Sequence, residues 1–121
     1  MRRSGYLLGA GLAIVVSGMA HSAMAQQGEI KIGEINSYSL LPAFTDPYRK
    51  GWQLAVEEVN AAGGINGKKL VVISKDDAGK PADAQTAANE LVSSENVAML
   101  AGTFLSNIGL AVSDFAKEKK V

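Results

Sequence analysis

The sequence predicts an α/β fold: an open parallel sheet with helices on both faces. Segments rich in aliphatic, β-branched residues alternate three times with segments whose apolar residues recur every three or four positions, the two periods of strand and helix. One strand segment, Lys69-Leu70-Val71-Val72-Ile73-Ser74, is an almost unbroken apolar run, as a strand covered on both faces requires. Each crossover is long enough to return the chain in the same direction, the right-handed connection of parallel sheets.

The first segment lies outside this pattern. Arg2 and Arg3 precede an apolar stretch from Tyr6 to Ala20, and Ala23-Met24-Ala25 supplies small residues at a cleavage pattern. That is the layout of a secretory signal peptide, because the apolar run falls short of the roughly 20 residues that span a bilayer. Residues 1–25 are therefore read as a signal peptide cut after Ala25, which marks residues 26–121 for export.

The elements follow in order. Glu29 to Ile35 alternates polar and apolar residues, with Ile30, Ile32 and Ile35 suiting a first strand. A loop from Asn36 to Phe44 comes next, then Asp46-Pro47 offers a helix N-cap with proline at the first helical position. Tyr48, Trp52, Ala55, Val56, Val59 and Ala62 mark one face of that helix, which is expected to be buried, and Gly63-Gly64 stops it. Asn66-Gly67 turns the chain into the second strand, and Pro81 opens a helix whose Ala84, Ala87, Ala88, Leu91 and Val92 share a face. Val97 to Ala101 reads as a third strand ended by Gly102, and Ile108, Ala111, Val112, Phe115 and Ala116 trace the last helix. Lys117, Lys119 and Lys120 suit its negative end. Three strands make a thin sheet with unpaired edges, so the sequence is read as a fragment, with Val121 opening a fourth strand.

Composition removes several function classes. The one histidine, His21, lies in the signal peptide and there is no cysteine, so metal sites of His and Cys and nucleophile systems that need a histidine base are excluded in the remainder. Twelve basic residues oppose twelve acidic ones over the whole sequence, and losing Arg2 and Arg3 leaves a net charge of −2. No electrostatic case for nucleic acid remains. No metal or cofactor is expected.

Two glycine patterns are structural. Ala62-Gly63-Gly64-Ile65-Asn66-Gly67-Lys68-Lys69 approaches a phosphate-binding loop, but it runs from helix into strand and Lys69 stands where Ser or Thr belongs. No G-x-G-x-x-G follows a strand, so a dinucleotide site is not indicated. Asp76 and Asp77 are read as a solvated acidic loop balanced by Lys75 and Lys80 rather than as a catalytic pair.

The segment Thr103-Phe104-Leu105-Ser106-Asn107-Ile108 is more informative. It joins the C-terminal end of a strand to the start of a helix, where open parallel sheets place their ligands. Ser106 or Asn107 can cap the helix, and the same position can offer a hydroxyl and free amides to a carboxylate. Ser106 is no nucleophile, since Phe104 occupies the place of the first glycine of G-x-S-x-G and no base remains. Tyr38, Phe44 and Tyr48 leave the end of the first strand and are expected to face the same crevice, whereas Trp52 belongs to the core.

Read together, Ile30-Lys31-Ile32-Gly33, Gly51 before Ala55-Val56-Glu57-Glu58-Val59-Asn60, Ala62 through Leu70, Asp76-Asp77 and Pro81 resemble the branched-chain amino acid type of periplasmic substrate-binding protein. The resemblance covers nearly all of residues 26–121, which it identifies with the first part of an N-terminal lobe. It implies a non-catalytic, two-lobed protein that captures an amino acid or similar small carboxylate and delivers it to the membrane permease of an ABC importer. It also implies ligand contacts from Ser106 with its neighbours Phe104 and Asn107, and from the aromatic loop at Phe44 and Tyr38. The loop from Asn36 to Pro42 departs from the family's small Ser-Gly-Pro pattern, which leaves the solute open. Two rivals share the strand–helix alternation. One is the ligand-sensing domain of a receptor. The other is a small enzyme or receiver-like domain, against which Asn36 and Gly102-Thr103 fall where a receiver's acidic residues belong.

Overall fold

The computed structural model describes residues 28–121; the expected signal peptide and its cleavage after Ala25 lie outside the described residues. The elements are β1 (Glu29–Asn36), α1 (Pro42–Ala61), β2 (Lys69–Asp76), α2 (Pro81–Ser93), β3 (Met99–Gly102) and α3 (Ser106–Lys119). The strands form one sheet in the order β2-β1-β3, and both pairings are parallel. Ile32 lies opposite Val72 on one side and Met99 on the other. All three strands therefore point their C-terminal ends to one edge, as the alternation predicts.

Side-chain alternation on β1 divides the molecule into layers. Ile35 faces a core with Ala84, Ala88 and Leu91 of α2 and Ile108 and Val112 of α3, all buried. Gly33 points the same way, and a Cβ there would stand 3.0 Å from Leu91 Cδ1 and from Leu100 Cδ2. The absence of a side chain at Gly33 and the small alanines of α2 together let that helix lie close against the sheet. Ile32 and Glu34 point to the opposite face, towards α1.

Three sequence expectations are corrected. The first helix starts at Pro42, one turn before Asp46-Pro47, and Pro47 lies inside it. The Leu41 carbonyl accepts bonds from the Phe44 and Thr45 amides and from Thr45 Oγ1, so the first turn closes without Asp46, and Pro47 costs one interior hydrogen bond. Phe44 thus sits on a helix and not in a loop. The apolar face of α1 is only partly covered: Trp52, Val56 and Val59 are half-buried and Ala55 is exposed, which leaves a crevice against the sheet. The third strand runs Met99–Gly102 instead of Val97–Ala101, because the Val97 amide bonds to Leu91 O and its side chain is drawn into the α2 core.

The connection from α1 to β2 is fixed from both sides. Asn66 (φ 52°) and Gly67 (φ 77°) make the turn between Ile65 and Lys68, the backbone that an Asn-Gly pair adopts readily. The Asn60 side chain donates to Leu70 O and accepts from Leu70 N, both at 2.8 Å. That clamp ties the end of α1 to the start of β2.

Candidate functional site

A cleft of about 260 Å³ opens where β1 and β3 end, lined by Asn36, Phe44, Thr45, Tyr48, Gly102, Thr103 and Phe104. The Phe44 and Phe104 rings meet across it with centroids 5.5 Å apart and planes tilted by 31°, within the range of favourable aromatic contact. Both rings remain more than half exposed, at 61% and 51%. They form an apolar rim that still has surface to offer a solute.

The chain reaches this rim through strained backbone. Gly102 (φ 99°) and Thr103 (φ 68°) both lie in the left-handed region, disfavoured for threonine. The Thr103 amide donates to Ile35 O at 2.6 Å and its hydroxyl to Gly102 O at 2.6 Å, which holds the kink and aims Phe104 at Phe44.

The start of α3 lies just beyond. Leu105 is the N-cap in extended conformation, and no side chain caps the helix. The capping role considered for Ser106 and Asn107 is therefore not the one observed. They occupy the first two helical positions, both exposed. Their amides have no acceptor among the described residues, while Ile108 and Gly109 donate to Leu105 O. Free amides at the positive end of a 14-residue helix attract an anion. Neither Ser106 nor Asn107 lines the cleft itself; they stand beside Phe104, which does.

Tyr38 is placed elsewhere. It is 6% exposed, does not line the cleft, and donates from its hydroxyl to Glu34 Oε2 at 2.9 Å. The Arg49 guanidinium lies 3.6 Å above its ring, and Trp52 Nε1 donates to its oxygen at 3.3 Å. An aromatic residue four positions after a buried carboxylate folds back onto it. Tyr48 is the tyrosine that does reach the cleft; burial raises its phenol above the ordinary value, with Glu34 and then Tyr38 adding to the effect. Asn36, Thr45 and Gly102 were not expected as lining residues. Asn36 and Gly102 follow from the rule that ligands gather beyond strand C-terminal ends, whereas Thr45 needed the earlier helix start.

The acidic loop divides into two unlike residues. Asp77 is 0% exposed, and its Oδ1 accepts from Ser37 Oγ at 2.6 Å and from Gly79 N at 2.8 Å. The expected solvated loop is thus wrong for Asp77, and among the described residues the two lysines expected to balance it pair elsewhere, Lys75 with Glu90 and Lys80 with Asp83. Asp76 is exposed. Burial acts to raise its carboxyl, but hydrogen bonds from Ser39, Ala78 and Tyr38 outweigh that and hold it below the ordinary value. A carboxyl lowered by folding stabilises the fold above the ordinary aspartate range, and that contribution is lost as pH falls through the lowered value. Asp76→Asn is therefore expected to flatten this part of the acid limb of stability against pH, measured by denaturant midpoints, by lowering stability at neutral pH and leaving it unchanged at pH below the lowered value.

Comparison with known proteins gives a consistent result. The family described as periplasmic binding protein matches residues 29–121. A Leu/Ile/Val-binding protein homolog of Brucella melitensis is 37% identical over 82% of the chain and 27% of its own length. An amino acid binding protein of Pseudomonas aeruginosa is 32% identical over 88% of the chain and 29% of its own. Among solved structures, the branched-chain amino acid transporter substrate binding protein of Streptococcus pneumoniae, in complex with isoleucine, superposes with a TM-score of 0.68 at 37% identity. It covers 74% of this chain, which spans 26% of that protein. A branched-chain amino acid transporter protein of Rhodopseudomonas palustris gives a TM-score of 0.70 at 29% identity over 76% of this chain and 25% of its own. The chain spans about a quarter of the length of the relatives it matches.

Proposed function

The chain belongs to the periplasmic binding protein family, and from that premise we propose that it forms the first part of the N-terminal lobe of an exported solute-binding protein. The protein captures an amino acid or similar small carboxylate, without catalysis, and hands it to the membrane permease of an ABC importer in the periplasm. The observation that carries this reading is the meeting of Phe44 and Phe104 at 5.5 Å, beside amides at the start of α3 that have no acceptor among the described residues. The rim provides an apolar wall next to a positive helix end, which matches the two halves of an amino acid with an apolar side chain. The relatives named for leucine, isoleucine and valine, and the solved relative holding isoleucine, point to the same solute class.

In this reading the solute's carboxylate takes hydrogen bonds from the Ser106 hydroxyl and the Ser106 and Asn107 amides, while Phe44 and Phe104 cover its carbon chain. Tyr38 acts behind the rim, through Glu34 and Arg49, rather than on the solute. Closure of a second lobe over the first excludes water and commits the solute to transport.

Calorimetric titration of the intact protein with isoleucine tests the reading. Phe44→Ala and Ser106→Ala are each expected to weaken binding about tenfold or more, roughly 1.4 kcal/mol, with little change in melting temperature because both side chains are exposed. Unchanged affinity in both variants would remove the rim from the site.

A further inference from the structure

We propose that Asn66 is a site of spontaneous covalent modification, where attack by the Gly67 amide converts the asparagine, through a cyclic imide, into isoaspartate and aspartate. Asn66 and Gly67 are the two central residues of the turn that leads into β2, and both are exposed. The Gly67 amide has no acceptor among the described residues.

The other described asparagines are held. Asn36 is buried, and its Oδ1 accepts the Ser37 amide. Asn60 is locked on Leu70 through both side-chain polar atoms. Asn96 precedes the β-branched Val97, whose amide donates to Leu91 O. Asn89 and Asn107 lie in helices, where a fixed backbone keeps the following amide away from the side chain. Asn66 is the one followed by glycine, whose nitrogen no side chain shields and whose backbone turns freely.

The chemistry needs water alone. The Gly67 nitrogen bonds to Asn66 Cγ and gives its proton to water, while the Cγ–Nδ2 bond breaks and Nδ2, taking up a proton, leaves as ammonia. Water then opens the five-membered imide. Opening at the side-chain carbonyl leaves aspartate, and opening at the main-chain carbonyl leaves isoaspartate, with the chain running through the former side chain. In the closed turn both residues are left-handed, at φ 52° and 77°, and the attack requires the Asn66 Cα–C bond to rotate away from that conformation. Two hydrogen bonds between Ile65 and Lys68, of 2.8 and 3.0 Å, oppose the rotation. Local opening of a short exposed turn costs far less than global unfolding, so the turn slows the reaction without stopping it.

The two products act differently on the turn. Aspartate tolerates the left-handed region as asparagine does. Isoaspartate adds one carbon to the main chain of a two-residue turn, whose length fixes the register of its flanks. The surroundings leave no slack: the Lys68 carbonyl lies so close to Gly64 that a Cβ there would overlap it, and Asn60 fixes Leu70 two residues on. Isoaspartate therefore loosens the connection from α1 to β2, at the edge of the sheet opposite the solute cleft.

The test is incubation of the intact protein in mildly alkaline buffer at physiological temperature, followed by peptide mapping in a mass spectrometer and enzymatic methyl labelling of isoaspartate. A one-dalton mass gain at position 66 is expected at least tenfold faster than at any other described asparagine, slower than in a free peptide of sequence 62–70, and with isoaspartate as the larger product. The fraction carrying isoaspartate is expected to melt several degrees below the parent, whereas Asn66→Asp melts with the parent. No gain at position 66, or a gain no faster than at Asn89 or Asn107, overturns the proposal. Asn66→Asp melting as low as the isoaspartate fraction would overturn the assignment of the loss to the added main-chain carbon.

Discussion

Gly102→Ala is expected to destabilise the protein by more than about 3 kcal/mol, because two penalties fall on one residue. Its φ of 99° lies in the region that L side chains avoid, and the new methyl would overlap the Ile35 carbonyl oxygen. That oxygen already accepts the Thr103 amide at 2.6 Å, so relief requires β1 and β3 to separate at the end that carries the cleft. Gly63 separates the two penalties: its φ is 104°, but a Cβ there meets nothing within 4 Å. Gly63→Ala is therefore expected to cost only the conformational part, about 1–2 kcal/mol. Urea denaturation of both variants measures the difference, and equal losses would show that the close approach of Gly102 to Ile35 is not a constraint.

Asp77→Ala is expected to cost about 2–4 kcal/mol, whereas Asp76→Ala should cost less than about 1 kcal/mol at neutral pH. The two neighbours differ in burial and in what they hold. Asp77 is fully buried and joins the segment after β1, through Ser37, to the segment after β2, through Gly79. Truncation leaves the Ser37 hydroxyl, itself 0% exposed, without its 2.6 Å partner. The Ser37→Ala/Asp77→Ala double mutant should therefore lose clearly less than the sum of the single losses. Strict additivity in denaturant unfolding would contradict the assignment. Because the Ser37 segment leads directly into α1, solute affinity is expected to fall together with stability in Asp77→Ala.

The layers were legible in the sequence because burial imposes a period. Ala84, Ala87, Ala88 and Leu91 repeat at helical spacing and all four are buried on one face of α2. The apolar run of β2 paired in parallel with β1 over its full length. Boundaries were harder where two residues offered the same signal. Pro42 and Pro47 both suit a helix start, and the choice was made by the Leu41 carbonyl, whose three donors appear only once the turn has formed.

The site was legible as a place more than as a set of contacts. Parallel strands ending at one edge brought the Phe44 and Phe104 segments together, as the topology required. Tyr38 could not be assigned by pattern: its partner Glu34 shares the Ile30 and Ile32 face of the strand and is 2% exposed, but nothing in the spacing announces that the tyrosine folds back onto it. Ser106 reads as a cap by residue type, yet Leu105 holds the N-cap position. Asp77 reads as solvated because acidic pairs before helices usually are, and only the fold brings Ser37, forty residues earlier, into contact.

The most direct measurement is a crystal structure of the intact protein grown with isoleucine. The carboxylate should lie within hydrogen-bond distance of the Ser106 and Asn107 amides, with the side chain against Phe44 and Phe104. An ordered isoleucine held by other elements, with this rim left unoccupied, would contradict the account.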